Sequence, residues 1–433
     1  MLKHEDNLML THVGSGTPMG NLLRYFWMPA LLEEEVKEPD CAPVRLRLLG
    51  EDLVAFRDSD GRVGILDAYC PHRRVHLYFG RNEECGLRCV YHGWKFDVTG
   101  QCTDMPSEPP GSDFARKVRI ASYPTRVRGG VVWIYMGPRE RMPEPPDFEW
   151  SRLPVPQRSV IKRVQECNWA QVVEGGIDSS HLSFLHSRLD GNRLSSTGRK
   201  FPSYALNDSH PVIEVKETAY GLLVWARRDA ESDSYYWRIS QYLLPAYSMV
   251  AATIEGSDSL NEPYIGHAWV PIDDENTWVW TFSAFPKRPM TGEERTRLAG
   301  ATGIWGPIDE NFRPLLDRRN DYGLDREAQK TRTFTGIDGT ANQDAAVQES
   351  MGRIVDRSRE RLGSSDMAII AWRRMMLSLA KDLADGIPPA LAGDPALYNR
   401  RSASVILKRD ADWAKEAEYL FRVPPAVAER ASG

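Results

Sequence analysis

The sequence predicts an α+β protein of two domains, a small antiparallel β domain followed by a larger antiparallel sheet with helices packed over one face. A length of 433 residues suggests more than one domain, and 42% hydrophobic residues is enough to build full cores. Short strand-like segments separated by turn sequences dominate the first part of the chain, whereas longer strand-like runs alternate with helical stretches in the second part. We therefore predict an N-terminal domain over residues 1–156 and a C-terminal domain over residues 157–433.

The first domain is predicted to carry two ligand-bearing loops at the tip of short strands. Residues 44–56 and 62–69 are rich in β-branched and apolar side chains, and the turn sequence Asp58–Gly61 separates them. Further strands are predicted at Leu87–Tyr91, Lys95–Val98 and Val131–Met136. A stretch with six prolines, residues 137–156, then interrupts any regular pattern and is typical of a connector.

The second domain is predicted to contain a large antiparallel sheet, with helices flanking it. Its six strand-like runs, rich in Val, Ile, Trp and Tyr, are Pro211–Glu217, Gly221–Arg227, Tyr235–Leu243, Ser248–Ile254, Ile265–Pro271 and Thr277–Ala284. Its helical stretches are Trp169–Phe184, Gly292–Leu298, Arg319–Lys330 and Ile354–Leu383. The polar segment Ser187–His210 is too long for a plain connection, so we predict a lid over a site.

Composition excludes several classes of protein. A net charge of −5 and an isoelectric point near 6.1 argue against a general nucleic-acid-binding surface. No apolar run approaches the length of a membrane span, and the N-terminus has no secretory apolar region, so a cytoplasmic protein without membrane contact is expected. Four cysteines show no paired framework and are predicted to be free thiols: Cys41, Cys85, Cys102 and Cys167.

Two thiols and two imidazoles lie in closely spaced pairs, in the pattern C-x-H, sixteen residues, C-x-x-H. The four residues are Cys70, His72, Cys89 and His92. Such a set can hold a tetrahedral zinc ion, or a [2Fe–2S] cluster with the thiolates on one iron and the imidazoles on the other. The flanking residues favour the cluster, because Pro71 and Gly93 shape tight turns and Trp94 can shield a cluster from water.

The ligand set itself indicates electron transfer. Two neutral imidazoles in place of two thiolates make the centre less negative, which raises its reduction potential above that of an all-cysteine ferredoxin. The centre can then accept an electron from a reductase and pass it to a second site.

A second metal site is predicted after the connector, in the pattern Asp178-x-x-His181-x4-His186. A spacing of three places Asp178 and His181 on one helical face, but a spacing of five turns the two rings apart. If both rings bind one metal, the helix must distort or end between them. Two histidines and one carboxylate form the facial triad of oxygen-activating non-haem Fe(II). We expect Asp344 to supply the carboxylate, with Asp338 and Glu349 as rivals that could instead be helix caps or solvated charges.

Together these motifs resemble the catalytic α subunits of Rieske non-haem iron aromatic ring-hydroxylating oxygenases, and the resemblance covers essentially the whole chain. Residues 14–24 and the Asn-Gln-Asp…Gln-Glu-Ser-Met-Gly segment at 342–352 are most similar to the phthalate dioxygenase branch, which includes phenoxybenzoate dioxygenases and aryl O-demethylases. One departure is Arg74, where many relatives have glycine. The resemblance implies a C-terminal catalytic domain of helix-grip type. It implies a Rieske [2Fe–2S] cluster on Cys70, His72, Cys89 and His92, and a mononuclear Fe(II) on His181, His186 and Asp344.

The resemblance also implies the partners and the electron route. A flavin and ferredoxin-type NAD(P)H reductase would reduce the cluster, and O2 would react at the iron when substrate is bound. Asp178 would accept a hydrogen bond from His181 and bridge to His92 of a neighbouring subunit. The chain is therefore expected to form a homotrimer or a pair of stacked trimers.

The expected activity is hydroxylation of a small aromatic carboxylate of the phthalate or phenoxybenzoate type. An aryl O-demethylase or monooxygenase acting on a lignin-derived methoxy-aromatic acid is the alternative, because both reactions use the same iron. A Rieske electron carrier with a non-catalytic binding domain is a further alternative. Arg238, among the aromatic residues of a predicted strand, is a candidate for binding the substrate carboxylate, with Arg199, Lys200 and Arg227 as weaker candidates.

Overall fold

The computed structural model describes residues 2–190, 203–251, 263–299, 305–390, 394–421 and 423. The α+β fold class is confirmed, with an N-terminal part built from small sheets and a C-terminal part built on a large antiparallel sheet. The strands are β1 (Trp27–Leu32), β2 (Val44–Leu48), β3 (Glu51–Arg57), β4 (Val63–Asp67), β5 (Arg81–Glu83), β6 (Gly86–Arg88), β7 (Lys95–Phe96), β8 (Cys102–Asp104), β9 (Ser122–Tyr123), β10 (Thr125–Arg128), β11 (Val131–Tyr135), β12 (Arg158–Gln165), β13 (Val212–Thr218), β14 (Gly221–Asp229), β15 (Ser234–Leu243), β16 (Tyr247–Val250), β17 (Tyr264–Pro271), β18 (Thr277–Ala284) and β19 (Ala403–Lys408). The α-helices are α1 (His4–Thr11), α2 (Pro18–Arg24), α3 (Phe114–Lys117), α4 (Glu149–Arg152), α5 (Trp169–Ile177), α6 (Ser203–Asn207), α7 (Gly292–Ala299), α8 (Arg326–Thr331), α9 (Thr340–Ser350), α10 (Met367–Ala384), α11 (Trp413–Glu416) and α12 (Glu418–Phe421).

Small antiparallel sheets form the N-terminal part. Their strand orders are β1-β11-β10, β2-β3-β4-β9 and β5-β6-β7-β8. The prediction of one strand over residues 44–56 is wrong, because the segment forms two strands. Leu49 and Gly50 adopt positive φ and form a turn that pairs β2 with β3. The turn Asp58–Gly61 lies between β3 and β4 as predicted, and β4 and β6 deliver the chain to the two ligand loops.

A large antiparallel sheet forms the centre of the C-terminal part, in the order β12-β18-β17-β16-β15-β14-β13 with β19 paired to β15. All six predicted strands are present with shifted ends, although residues 252–254 of the predicted fourth strand lie outside the described part. The long strand β15 divides along its length, since its first residues pair with β19 and its last residues pair with β16.

The predicted helices differ most from the structure at their ends. The helix predicted over Trp169–Phe184 ends at Ile177, and Asp178 has extended backbone angles. The region Ile354–Leu383 is helical only from Met367, after two short 3-10 turns. The stretch Arg319–Lys330 divides into a 3-10 segment and α8, and α9 was not predicted.

One apolar core runs through both parts of the chain. It joins Trp133 of β11 to Trp150 of α4 and Tyr247 of β16, and α2 packs against α10. The domain boundary at residue 156 remains a prediction. Among the described residues no helix is long and apolar enough to cross a membrane, and all six cysteines are free of disulfides.

Candidate metal centres

Two loops of the same construction carry the first set of candidate ligands. The N–H of Cys70 donates to the carbonyl of Val75 at 2.9 Å, and the N–H of Arg74 donates to the carbonyl of Cys70 at 2.9 Å. In the second loop the N–H of Cys89 donates to Trp94 at 2.8 Å, and that of Gly93 donates back to Cys89 at 3.0 Å. Each loop is thus closed by its own backbone and presents a cysteine followed by a histidine.

The fourth residue after each cysteine adopts a left-handed backbone. Gly93 has φ +77° there, and Arg74, at the same position of the first loop, has φ +59°. A non-glycine residue in this conformation costs roughly 1–2 kcal/mol. The departure noted in the sequence therefore places an arginine where the loop geometry favours glycine.

The side chains of the four residues converge. Cys70 and Cys89 are buried and within hydrogen-bonding distance of each other, and the rings of His72 and His92 lie 4.4 Å apart. The ring of Trp94 stacks on His72 at 4.5 Å, as the sequence suggested for a shielding residue. A single pocket is lined by all four side chains, and its remaining lining residues are Arg73, Val75, Tyr91 and Trp94.

The surroundings of the two thiols favour an anionic sulfur at Cys89. The hydrogen bond from Cys70 lowers the pKa of Cys89 to about 6, while the same contact raises the pKa of Cys70. Backbone N–H groups of the residues two and three positions after each cysteine also point at its sulfur and stabilise the thiolate. Two buried, converging cysteine sulfurs and two less buried imidazoles fit a [2Fe–2S] cluster of mixed ligation.

The second set of candidate ligands begins where α5 ends. Asn168 caps the helix by accepting a hydrogen bond from the N–H of Ala170 at 3.1 Å. A side chain at Gly176 would collide with Trp269, and one at Gly175 would collide with Gln348, so α5 packs closely on β17 and α9. The close packing on α9 brings the turn after α5 next to Asp344.

The turn after α5 brings the rings of His181 and His186 close together. Asp178 leaves the helix, its carboxylate accepts a hydrogen bond from the N–H of Ser180 at 2.6 Å, and His181 starts a 3-10 turn. The rings of His181 and His186 then lie 5.0 Å apart, nearly perpendicular. The sequence predicts that the helix distorts or ends between the two histidines, whereas the structure ends α5 earlier, at Ile177, and both histidines lie beyond it.

Asp344 completes the predicted triad. Its Oδ1 lies 3.8 Å from Nε2 of His181 and 3.5 Å from Nε2 of His186, and the ligand atoms of the three residues lie within 4.8 Å of one another. Two imidazole nitrogens and one carboxylate on the same side of a site match a mononuclear Fe(II) with open positions. The rival acids lie elsewhere: Asp338 is exposed and faces Arg332, and Glu349 accepts hydrogen bonds from Tyr322 and from the N–H of Glu166.

Neighbouring side chains orient the two rings. Nδ1 of His181 lies 3.3 Å from Oδ2 of Asp178, and Nδ1 of His186 lies 2.7 Å from Oε1 of Gln343. The amide of Gln343 is itself fixed, because its Nε2 donates to the carbonyl of Ile337 at 2.9 Å. Nδ1 of each ring can therefore donate to its acceptor, which leaves Nε2 facing Asp344 as the atom available to bind a metal. The role of Gln343 was not predicted, although its place directly before Asp344 was a signal.

Charges in this site are balanced internally. Burial would raise the pKa of Asp344, but the charge and hydrogen bond of His186 outweigh it, so its pKa is lowered. Burial also opposes ionisation of Asp178, and the contact with His181 outweighs it, so the pKa of Asp178 is lowered too. Both carboxylates are therefore anionic near neutral pH.

A buried arginine faces this site from the sheet. Arg238 of β15 is only 6% exposed, and its Nη1 donates to Oγ of Ser179 at 3.3 Å. Its Nε has no hydrogen-bond partner among the described residues, and burial lowers its pKa to about 10. Neighbouring Arg228 donates to the carbonyl of Ser179 at 2.7 Å, and its Nη1 is likewise unpartnered within the described part of the chain.

The weaker arginine and lysine candidates do not join this group. Arg227 lies on the opposite face of β14, with its guanidinium 4.4 Å from the ring of Tyr235. Residues 191–202 of the predicted lid, which include Arg199 and Lys200, lie outside the described residues.

Two further polar residues near Asp344, His267 and Arg163, were not indicated by the sequence. His267 of β17 contacts Thr281 through Nδ1 at 3.0 Å, and burial lowers its pKa to about 4, so its ring is neutral. Arg163 donates to the carbonyl of Ala341 at 2.7 Å and holds the first turn of α9 in place. The alternation of a strand gives no signal that distinguishes such residues from ordinary core positions.

A mixed thiolate–imidazole set in a β domain and a two-histidine, one-carboxylate set in an α+β domain together define an iron-dependent oxygenase. Comparison with known proteins assigns the chain to the Rieske oxygenase family. Residues 26–124 match the Rieske [2Fe-2S] domain, and residues 134–425 match a family described as LigXa C-terminal domain like. The oxygenase subunits of this family carry a Rieske cluster and a mononuclear iron.

Curated relatives match along the whole chain. The oxygenase subunit of phthalate 4,5-dioxygenase from Pseudomonas putida is 42% identical over 99% of this chain and 98% of its own length. The oxygenase subunit of 3-chlorobenzoate-3,4-dioxygenase from Comamonas testosteroni is 40% identical over 98% of this chain and 99% of its own. The oxygenase subunit of 5,5'-dehydrodivanillate O-demethylase from Sphingobium sp. is 33% identical over 95% of this chain and 88% of its own.

Solved structures show the same fold. Dicamba monooxygenase bound to dicamba aligns with a TM-score of 0.61 at 19% identity, over 84% of this chain and 99% of that one. NdmA from Pseudomonas putida CBB5, a QL mutant with caffeine, aligns with a TM-score of 0.61 at 17% identity, over 91% and 99%.

Proposed function

We propose that this chain is the oxygenase component of a system that hydroxylates a small aromatic carboxylate with O2 and electrons from an NAD(P)H-dependent reductase. The cluster is held by Cys70, His72, Cys89 and His92, and the mononuclear iron by His181, His186 and Asp344. The relatives are oxygenase subunits of multi-component enzymes, which supports the need for a separate reductase.

The buried guanidinium of Arg238 is the single observation that carries the choice of substrate class. A buried cation without a carboxylate partner is costly, because its hydration is lost and nothing replaces it. Within the described part of the chain Arg238 donates to the hydroxyl of Ser179 and forms no ion pair, although the charge of Asp178 acts on it from a greater distance. A substrate carboxylate would supply the missing anion with a bidentate hydrogen bond and would place the aromatic ring beside the iron ligands.

The residues of this chain bind and orient the reactants. When bound, the iron supplies oxygen activation at positions that three protein ligands leave open. Arg238 fixes the acid group, and the buried rings of Trp269 and Trp305 pack beside His267. Gln343 keeps the His186 ring in the orientation in which Nε2 faces Asp344.

Asp178 is the proposed electron bridge between subunits. Its Oδ2 contacts His181, and it is only about one-fifth exposed at the end of α5. On the opposite part of the chain, the ring of His92 lies at an exposed edge beside Tyr91. A head-to-tail ring of subunits, as a homotrimer or stacked trimers, would place His92 of one copy against Asp178 of the next.

Product analysis under labelled O2 tests this proposal. The purified chain is given NADH, a surrogate flavin and ferredoxin-type reductase, and phthalate, 3-chlorobenzoate or a methoxybenzoate. Incorporation of two labelled oxygen atoms into an aromatic acid supports dihydroxylation. Consumption of NADH without any oxygenated product from aromatic acids would contradict the proposed function.

The same experiment distinguishes dihydroxylation from O-demethylation. The alternative of O-demethylation is supported by the 33% identity to a demethylase subunit. Oxidation of a methoxy group releases formaldehyde and leaves a phenol, with one labelled atom entering the methyl carbon. Dihydroxylation releases no formaldehyde. The relatives at 40% and 42% identity are named as dioxygenases and favour the first outcome.

The substitution Arg238→Met tests the substrate anchor. Loss of a charged hydrogen bond worth about 1.5–3 kcal/mol should raise KM roughly 10- to 100-fold, with both metals retained. Arg227→Met is the matched control, because it removes the same charge from the opposite face of the adjacent strand. An unchanged KM for the aromatic acid in Arg238→Met would remove this residue from the site.

A further inference from the structure

A row of cations and aromatic rings extends over the surface from the first ligand loop. The guanidinium of Arg74 lies 4.9 Å from the ring of Tyr69, and that of Arg45 lies 3.7 Å from the ring of Tyr78 and 5.5 Å from Phe79. The ring of His76 joins the two halves, 5.1 Å from Tyr69 and 6.3 Å from Tyr78. We call Arg45, Tyr69, Arg74, Tyr78 and Phe79 the Arg45 surface.

The Arg45 surface is exposed and apolar as well as charged. Phe79 is 60% exposed and Tyr78 is 37% exposed, which is unusual for large rings that lie side by side. Exposed aromatic side chains next to arginine are typical of protein–protein contact surfaces. The surface begins in the loop that carries Cys70 and His72, so a protein bound there would lie beside the cluster.

The charge of this surface is positive, although the chain as a whole carries a net charge of −5. Arg45 has no carboxylate partner among the described residues, and the neighbouring Arg73 contacts only the hydroxyl of Tyr91, at 3.1 Å. The ion pair between Arg74 and Asp67 is long, at 3.5 Å, and the Arg74 side chain is 62% exposed. Asp52, the other acid nearby, is already paired with Arg47 at 2.5 Å.

The backbone of Arg74 gives an independent reason to expect a role for its side chain. The equivalent position of the second loop is Gly93, and both residues have positive φ with the same backbone hydrogen bonds. Strain of this kind persists where the side chain is used. The Arg74 guanidinium donates to the carbonyl of Tyr69 at 3.4 Å and lies 3.5 Å from Asp67, but 62% of its side chain is exposed, so its charge is open to a binding partner.

We propose that the Arg45 surface docks the acidic face of the one-electron donor that reduces the cluster, an iron–sulfur or flavin redox protein. The inference rests on the proposed function, which requires such a donor. In the step it serves, the reduced donor loses one electron, the oxidised cluster gains that electron, and no covalent bond forms or breaks. Positive charge without a partner on an acidic chain steers an anionic protein to this side of the domain.

The test uses plant-type [2Fe–2S] ferredoxin, an acidic one-electron carrier, with the loaded oxygenase. The potential of such a ferredoxin lies below that of a Rieske centre, so transfer to the cluster is downhill. Stopped-flow absorbance gives the second-order rate constant for reduction of the cluster. In the Arg45→Gln/Arg74→Gln variant the rate constant should fall about fivefold or more at low ionic strength, and about twofold or less at 0.5 M salt.

Binding of oxidised ferredoxin, measured without any electron transfer, should weaken by a similar factor in the same variant. Arg74→Lys retains the charge and should retain most of the affinity. Arg126→Gln removes an exposed arginine from another sheet of the same part of the chain and should change neither quantity.

Unchanged ferredoxin binding and reduction rates in the double variant would overturn the proposal. If dithionite also reduced the variant more slowly, by the same factor, the cluster itself would be damaged and the proposal would be overturned. A change of oligomeric state in the variant would identify the Arg45 surface as a subunit interface and would likewise overturn the proposal. Failure of the proposed function is distinguished by a separate measurement. A pre-reduced oxygenase that forms no product from aromatic acids contradicts the function, whatever the ferredoxin rates are.

Discussion

The two candidate metal centres are built in different ways, one from a local stretch of chain and the other from distant segments. The cluster site uses loops within residues 70–94, and each loop is closed by its own backbone hydrogen bonds. The iron site joins the turn after α5 to Asp344 on α9, and it depends on the packing of Gly175 against Gln348. A local site can be recognised from spacing alone and should form independently of the second. A site assembled by packing is sensitive to residues that never touch the metal.

The largest expected effect is loss of turnover in His181→Ala or Asp344→Ala, with the Rieske absorption spectrum intact. The cluster loops share no hydrogen bond with these residues in the described structure, so loss of the mononuclear iron should leave them folded. Visible spectroscopy and product formation measure the two parts separately. Asp338→Ala, which removes an exposed acid two residues before α9 begins, is the control and should remain active. A bleached spectrum in either ligand variant would show that the sites are not independent.

The next effect tests the connection between the two sites. Asp178→Asn removes the bridging carboxylate but preserves its shape, so the cluster should remain reducible and iron should largely be retained. In a single turnover with substrate and O2, reoxidation of the pre-reduced cluster should slow by about 100-fold. Loss of a residue that supports a metal ligand typically reduces activity about 10- to 100-fold, so this is the largest value in that range. Near-wild-type single-turnover rates, or a fully active monomer, would exclude the route between subunits.

A smaller effect is expected at Gln343, which holds the ring of His186. Gln343→Leu removes the acceptor for Nδ1–H, and the affinity for iron should fall about 10- to 100-fold. Iron retained after dialysis against a graded series of chelator concentrations measures this change. Gln343→Glu keeps an acceptor oxygen and should retain most of the affinity. Equal iron retention in the Leu variant would show that the packing of α5 on α9 is sufficient to orient the ring.

The smallest effect concerns the strained position in the cluster loop. Arg74→Gly relieves a left-handed arginine that costs roughly 1–2 kcal/mol, but it adds about 0.4–1 kcal/mol of chain entropy to the unfolded state. The free energy of unfolding of the loaded protein should therefore rise by about 1 kcal/mol or less. Arg73→Gly, at a neighbour without positive φ, should lower it. A fall of similar size in both variants would show that the left-handed backbone of Arg74 is not strained.

The difference between local and assembled structure also explains what the sequence could predict. The cluster ligands and the strands of the large sheet follow from spacing and from β-branched and aromatic residues, which are local signals. The end of α5 at Ile177 was missed because the apolar pattern continues to Phe184, whereas the turn is formed by backbone N–H groups of Ser180 and His181 that donate to the Asp178 carboxylate. Helix α9 was missed because its polar, weakly amphipathic sequence owes its stability to contacts with Arg163 and Gln171 from other elements.

Residues that face the iron site from the sheet were predicted only in part. Arg238 stood out as a charge among aromatic residues, whereas Arg228, Ser179 and His267 carry no pattern of their own. Their common location depends on the register of β14, β15 and β17, which brings distant positions to one face. Such groupings are properties of the folded sheet.

Analysis of iron and acid-labile sulfide tests most directly the claim that one chain holds two separate centres. The intact protein should contain about three iron atoms and two sulfides per chain, given a two-iron Rieske cluster and one mononuclear iron. The His186→Ala variant should contain about two iron atoms and two sulfides, with an unchanged Rieske spectrum. Equal iron content in both proteins, or zinc in place of iron and sulfide, would contradict the account.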